Sequence, residues 1–291
     1  MKLRLATRGS PLALAQAGTM ALELSRLHPG LEVEFIRIRT SGDIFADQNL
    51  AQTGVKGLFI KEIEEALLAD RADLAVHSAK DLPTDLPVGL ALAAYPRRED
   101  PHDAFVGRKN LSWDAVKPGH RLGTSSPRRC SQILLAKPGL EIVPLRGNVG
   151  TRLQRVVEGA CDGIVLAEAG LRRLGCDVRR EILSEKVLVP APGQGALAIE
   201  GRVDRPEIWK LLAVLDHLPT RREVETERAF LQAMGGGCMT PLGALARADE
   251  AGVALQVYCE DNGKSVRLSG FSRDGVWLAA DLARQAKARL S

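Results

Sequence analysis

Residues 4–11 read RLATRGSP, and residues 121–127 read RLGTSSP. Both follow one plan: a short apolar strand, a loop of Thr, Ser and Gly, then a proline. Proline fits the first turn of a helix, where its missing N–H has no intrahelical partner to lose. Ser10 and Ser126 precede these prolines, at the position where a capping hydroxyl belongs. Two copies of one strand–loop–helix unit, far apart in the chain, predict a duplicated fold.

The echo extends outward from both copies. LEVEFIRIRTSGD (31–43) alternates as a strand, and LEIVPLRGNVGTR (140–152) occupies the equivalent place. ADRADLAVHSAKDL (69–82) is matched by EGACDGIVLAEAGL (158–171), an acidic turn leading into an apolar strand. Helical patterns lie between, as in GLFIKEIEEALLA (57–69), where Phe59, Ile60, Ile63, Ala66 and Leu67 share one face. Alternating strands and helices predict an α/β fold: two similar lobes of mainly parallel sheet with a cleft between them. YPRREDPHD (95–103) and VPAPGQGALAIE (189–200) are the candidate crossings. They divide the chain into 1–97 plus 196–215 as one lobe and 101–190 as the other. Residues 218–291 read as a small α+β domain: a helix, a three-stranded antiparallel sheet with EDNGK as its hairpin turn, and a closing amphipathic helix.

The 291 residues are 45% hydrophobic and 26% charged, within the range of globular proteins. No apolar run is long enough to span a bilayer. The basic N-terminus puts Arg8 inside the would-be apolar region, so it reads as strand and helix rather than as a signal peptide, and a cytoplasmic location is expected. The five cysteines form no CxxC pair and the five histidines no HExxH motif, which argues against a disulfide framework or a metal site. Aromatics are only 4%, too few for a protein that stacks nucleic-acid bases. The formal charge of +4 acquires meaning only where the basic residues cluster.

They cluster beside the glycine- and serine-rich loops. Helix N-termini hold anions, and arginine grips carboxylate with a two-pronged fork. Arg8 flanks the first junction, Arg128 and Arg129 the second, and Arg146, Arg152, Arg155, Arg172 and Arg173 follow in the second half. HSAKDLP (77–83) leaves the carboxyl end of an apolar strand, where open α/β sheets bind ligands, and carries Lys80 and Asp81. Cys238 stands apart from the other thiols. It follows Gly235, Gly236 and Gly237, whereas Cys130, Cys161, Cys176 and Cys259 lie in periodic segments that suit a core. A small polyanion is the ligand class that these residues predict.

Eight segments, in order, resemble the porphobilinogen deaminase (hydroxymethylbilane synthase) family: RLATRGSPLALAQA, KGLFIKEIEEALL, ADLAVHSAKDLP, REDPHDAFV, GTSSPRR, LRGNVGTRL, APGQGALAIE and GGGCMTPLGA. The resemblance covers about residues 3–245, and the final domain looks short for the family. It implies a transferase of tetrapyrrole and heme biosynthesis with lobes like those of periplasmic binding proteins. Four porphobilinogen molecules are deaminated and joined head to tail on a dipyrromethane primer, and water releases the linear tetrapyrrole. It also implies that Cys238 holds that cofactor through a thioether and that Asp81 is the catalytic aspartate. Cofactor-binding positions by resemblance are Lys80, Asp81, Ser126, Arg128, Arg129, Arg146 and Gly147. Substrate-binding positions are Arg8, Ser10, Lys56, Thr124, Ser125, Arg152, Arg173 and Gln194. A monomer that passes its product to the next pathway enzyme is expected. Gln52 departs from the family, whose members often carry a second lysine there. The loop at 43–55 is expected to be mobile and to cover the cleft. The rival reading is a non-catalytic anion-binding module of the two-lobed receptor type, which needs neither Asp81 nor a reachable thiol.

Overall fold

The computed structural model describes residues 1–41, 60–236 and 241–291. The chain forms two compact units, Met1–Arg98 with Ala196–Arg221, and Glu99–Gly195 with Arg222–Ser291. The first unit begins with β1 (Lys2–Arg8), β2 (Glu32–Ile38), β3 (Leu74–Ser78) and β4 (Leu90–Ala94). The second follows with β5 (Asp103–Gly107), β6 (Arg121–Gly123), β7 (Glu141–Val143), β8 (Gly163–Ala167) and β9 (Glu181–Leu183). The chain then returns to the first unit with β10 (Leu197–Arg202).

The two sheets share one topology. The first has the order β2-β1-β3-β10-β4 and the second β7-β6-β8-β5-β9. In the first, β1 runs parallel to β2 and β3, while β10 is antiparallel to β3 and β4. In the second, β6 runs parallel to β7 and β8, while β5 is antiparallel to β8 and β9. Among the described strands each sheet therefore has one that is reversed, and in each it is the strand that follows a crossing of the chain between units.

Helices cover both faces of the central strands, which read as apolar runs, whereas the edge strand β2 alternates. Leu3, Leu5, Leu74, Val76 and Ile199 join one cluster with the helix Pro11–Leu27, which buries Ala17, Met20, Ala21 and Leu24. Ala6, Ala75 and Leu90 join another with Ile63 and Leu67 of the helix Lys61–Leu68. The second unit repeats this. Phe105, Leu122 and Val165 pack on one side with Ile133 of the helix Pro127–Ala136. Ala104, Val106, Ile164 and Leu166 pack on the other with Val156 of the helix Val149–Val157.

The second unit also carries β11 (Leu242–Ala248), β12 (Val253–Asp261) and β13 (Lys264–Ser272), which form an antiparallel sheet. Asn262 and Gly263, at the β12–β13 turn, both have positive φ, 48° and 79°, as a tight hairpin requires. Leu278, Leu282 and Ala286 of the helix Gly275–Leu290 close the core with Phe230.

Candidate active site

Ser10 caps the helix Pro11–Leu27, its hydroxyl accepting from the Ala13 N–H at 3.3 Å. Ser126 caps the helix Pro127–Ala136 in the same way, accepting from the Arg129 N–H at 3.4 Å. Both capped junctions read from the sequence are present, and each directs the free N–H groups of a helix end toward its loop.

In the first unit β3 ends at Ser78, and Ala79–Asp81 form a single 3-10 turn. The Ala79 N–H donates to the Ala196 carbonyl at 3.0 Å, which ties this turn to the start of β10. Asp81 is exposed and Lys80 half-buried. Arg8, Ser10, Gln16, His77, Ser78 and Asp81 are among the residues lining one pocket of this unit. Gln16 is 4% exposed and donates from Nε2 to the Ser78 hydroxyl at 2.9 Å, holding the residue next to the turn. Behind it, buried His77 shares a 3.0 Å contact between Nε2 and Glu200 Oε2. Burial and the neighbouring Glu200 push the Glu64 carboxyl up to about 7.

The second unit holds all of the candidate arginines except Arg8. Asp103, at the head of β5, is fully buried between Arg128 and Arg129. Arg128 donates to it from Nη1 at 2.8 Å and Nη2 at 3.2 Å, and Arg129 from Nε at 2.9 Å and Nη2 at 2.7 Å. Burial alone would raise the Asp103 carboxyl, but the two guanidiniums hold it well below the usual carboxylate range. Two cations on one carboxylate leave positive charge in excess.

Arg152 adds to the excess. It lies on the helix Val149–Val157, donates from Nε to the Gly147 carbonyl at 2.8 Å, and is pushed down by burial and by Arg129. Arg173, at the end of the helix Glu168–Arg173, donates from Nη2 to the Gly195 carbonyl at 2.7 Å, and burial pushes it down to about 10. Among the described residues neither Arg152 nor Arg173 forms an ion pair. Arg146 is exposed, and Gly147 beside it has φ of +100°. Thr124 is buried and its hydroxyl accepts from the Ser126 N–H at 3.2 Å. The Ser125 hydroxyl is committed to backbone, accepting from the Leu145 N–H at 2.9 Å and donating to its carbonyl at 3.2 Å. It thereby fixes the residue before Arg146. Gln194 is buried and donates from Nε2 to the Pro101 carbonyl at 2.8 Å.

Lys56, Gln52, the 43–55 loop and Cys238 lie outside the described residues. The remaining thiols match their core reading in two cases: Cys161 and Cys259 are buried, and Cys130 and Cys176 are half-buried. Burial pushes Cys259 up to about 12 and raises Cys130 and Cys161, which leaves these three poor nucleophiles. The sequence reading missed Asp103, Gln16 and Gln132. An acid heading an apolar strand, and an amide on an apolar helix face, were the available signals, since each needs a partner when buried.

Residues 3–210 match the family model described as porphobilinogen deaminase, dipyromethane cofactor binding domain, and residues 221–268 match that of the porphobilinogen deaminase C-terminal domain. The chain belongs to the porphobilinogen deaminase family. A porphobilinogen deaminase of Nitratidesulfovibrio vulgaris is 51% identical over 83% of this chain and 76% of its own length. One from a Roseiflexus species is 48% identical over 97% of this chain and 94% of its own. The methionine binding protein MetQ aligns with 74% of this chain and 89% of its own at a TM-score of 0.45 and 12% identity, a likeness too loose to bear on function. Membership in the deaminase family removes the rival reading as a non-catalytic receptor.

Proposed function

We propose that Asp81 supplies the catalytic carboxylate of this porphobilinogen deaminase, and that Arg128, Arg129, Arg146, Arg152 and Arg173 receive the acetates and propionates of the pyrroles. The enzyme joins four porphobilinogens head to tail with loss of four ammonia, and water releases hydroxymethylbilane. The observation that carries the residue assignment is the charge imbalance in the second unit. Arg128 and Arg129 share one buried carboxylate, and Arg152 and Arg173 are half-buried with no ion pair among the described residues. Desolvated cations gain most from a carboxylate that arrives with the ligand.

The same imbalance fits dipyrromethane, whose two rings carry several carboxylates. Ser126, Arg128, Arg129, Arg146, Gly147, Lys80 and Asp81 are assigned to it, with Cys238 as its anchor. When bound, this group supplies the free pyrrole carbon at which the first substrate is joined. Arg8, Ser10, Lys56, Thr124, Ser125, Arg152, Arg173 and Gln194 are assigned to substrate, Ser125 through its hold on Leu145.

In each addition the bond between the aminomethyl carbon and nitrogen of porphobilinogen breaks, and ammonia leaves with the electron pair. A carbon–carbon bond forms at the preceding ring, whose displaced proton passes to a base. Positive charge develops on ring nitrogen as ammonia leaves. The Asp81 carboxylate offsets it and accepts the ring N–H, and Gln16 steadies Ser78 behind the turn. In this reading the enzyme is a cytoplasmic monomer that passes its product to the next tetrapyrrole enzyme.

The test counts products. Purified protein given porphobilinogen should release four ammonia for each hydroxymethylbilane. Arg152→Leu and Arg173→Leu should each weaken substrate capture by roughly ten- to a hundredfold, the worth of a charge-assisted bond. Unchanged substrate capture in both variants would contradict the assignment.

A further inference from the structure

Gln132 is fully buried on the helix Pro127–Ala136 and uses both ends of its amide. Its Oε1 accepts from the Val189 N–H at 2.8 Å and from Arg267 Nη2 at 3.0 Å. Its Nε2 donates to the carbonyls of Val189 at 3.1 Å and Arg128 at 3.4 Å. The Val189 carbonyl also accepts from Arg128 Nη1 at 2.8 Å, the same nitrogen that grips Asp103. The Arg128 guanidinium is thus held by the Val189 carbonyl, that carbonyl is held in turn by the Gln132 amide, and Arg267 donates to the same amide.

Arg267 comes from β13 of the C-terminal sheet. Besides Gln132 it donates to the carbonyls of Glu185 at 2.7 Å and Val187 at 3.0 Å, and it lies over the Tyr258 ring at 5.2 Å. Among the described residues it meets no carboxylate side chain in an ion pair. Burial lowers its guanidinium from the ordinary value. Arg267 is half-buried, and desolvating a charge costs stability that an apolar side chain would not lose. What arginine adds is a rigid fork that addresses three acceptors at once. One residue earlier on the same helix, Ser131 bonds to Tyr258 and Glu260, a second tie to the same sheet. That sheet begins just after the segment carrying Cys238.

We infer that Arg267 is a positioning residue: through Gln132 and the Val189 carbonyl it fixes the reach of Arg128, and so couples the C-terminal sheet to the arginines that hold ligand carboxylates. This rests on the reading of Arg128 given above.

The experiment uses the full chain and compares Arg267→Met, Arg267→Lys and Gln132→Met with Arg128→Leu. Three quantities are read: the fraction of freshly expressed protein carrying the dipyrromethane increment by intact mass, KM and kcat for porphobilinogen, and Tm. Arg267→Met should lower the loaded fraction and raise KM about tenfold, the scale of one charge-assisted bond, with kcat of the loaded fraction near normal. Gln132→Met should reproduce the shift. Arg267→Lys keeps the charge but cannot reach all three acceptors, so it should show the same shift even if Arg267→Met folds poorly. Combined with Arg128→Leu, Arg267→Met should add nothing further. Normal loading and KM in Arg267→Met or Arg267→Lys, whatever the Tm, overturns the inference, as does full additivity with Arg128→Leu. Normal loading and KM in Arg128→Leu itself overturns the parent reading of Arg128 and this inference with it. Normal behaviour in the Arg267 variants alone leaves the parent reading standing.

Discussion

Asp103 is the residue on which the arginine site depends, because among the described residues it alone accepts from the side chains of both Arg128 and Arg129. Its carboxyl is held below the usual range, so its contribution to stability is complete above the unfolded value of about 3.9 and is lost as pH falls through the folded value. Asp103→Asn leaves two buried cations facing each other, a change that typically costs about 3–5 kcal/mol. Urea unfolding of variant and parent should show that gap from pH 8 down to about pH 4, narrowing only below. Asp81 makes a different prediction. A carboxamide keeps its shape but removes its charge, and loss of a preorganised electrostatic group costs about 10²–10³ in rate. Asp81→Asn should lose at least that in single-turnover ammonia release while staying folded, and Asp81→Glu should retain part of the activity. Ammonia release at the parent rate from Asp81→Asn would remove it from the chemistry. Asp81 was visible in the sequence because it follows a buried strand. The role of Asp103 was not, since nothing in a linear pattern says which arginine a buried acid will meet.

At the level of elements, the two capped junctions are the features the sequence stated most directly. A serine followed by proline is local chemistry, and both helices start where it places them. Ser126→Ala should cost about 1 kcal/mol, read by urea denaturation, and should also loosen Arg129, whose N–H it accepts. Gly147→Ala should cost on the order of 1 kcal/mol or more, because φ is +100° and a Cβ would come within 3.0 Å of the Thr151 methyl. The helix Lys61–Leu68 carries a pH signature. Glu64 is raised to about 7 by burial and Glu200, so the stability it contributes is full below the unfolded value and is lost as pH rises through 7. Glu64→Gln should therefore raise Tm at pH 8 and leave it unchanged at pH 5; a lowered Tm at pH 8 would show that ionised Glu64 is stabilising. Strand lengths were less legible. The echo places 140–152 opposite 31–43, yet β7 spans only Glu141–Val143 where β2 spans Glu32–Ile38, because Pro144 has no N–H to continue a ladder.

For the whole molecule, the α/β duplication was readable because hydrophobic periodicity and turn residues are local. The reversed strands β5 and β10 were not, because strand direction depends on where the chain re-enters a sheet. Nor did the linear sequence reveal that the C-terminal sheet is fastened to the arginine-bearing helix, since Arg267 and Gln132 are far apart in the chain. The central claim joins these scales: a cationic α/β enzyme holds a two-ring pyrrole primer on Cys238 and extends it. Intact mass of the purified active protein, followed by peptide mapping, tests this most directly. The account predicts a chain heavier than its 31.4 kDa by two linked pyrrole units, with all of the excess on the peptide containing Cys238. An active preparation in which Cys238 is unmodified would contradict it.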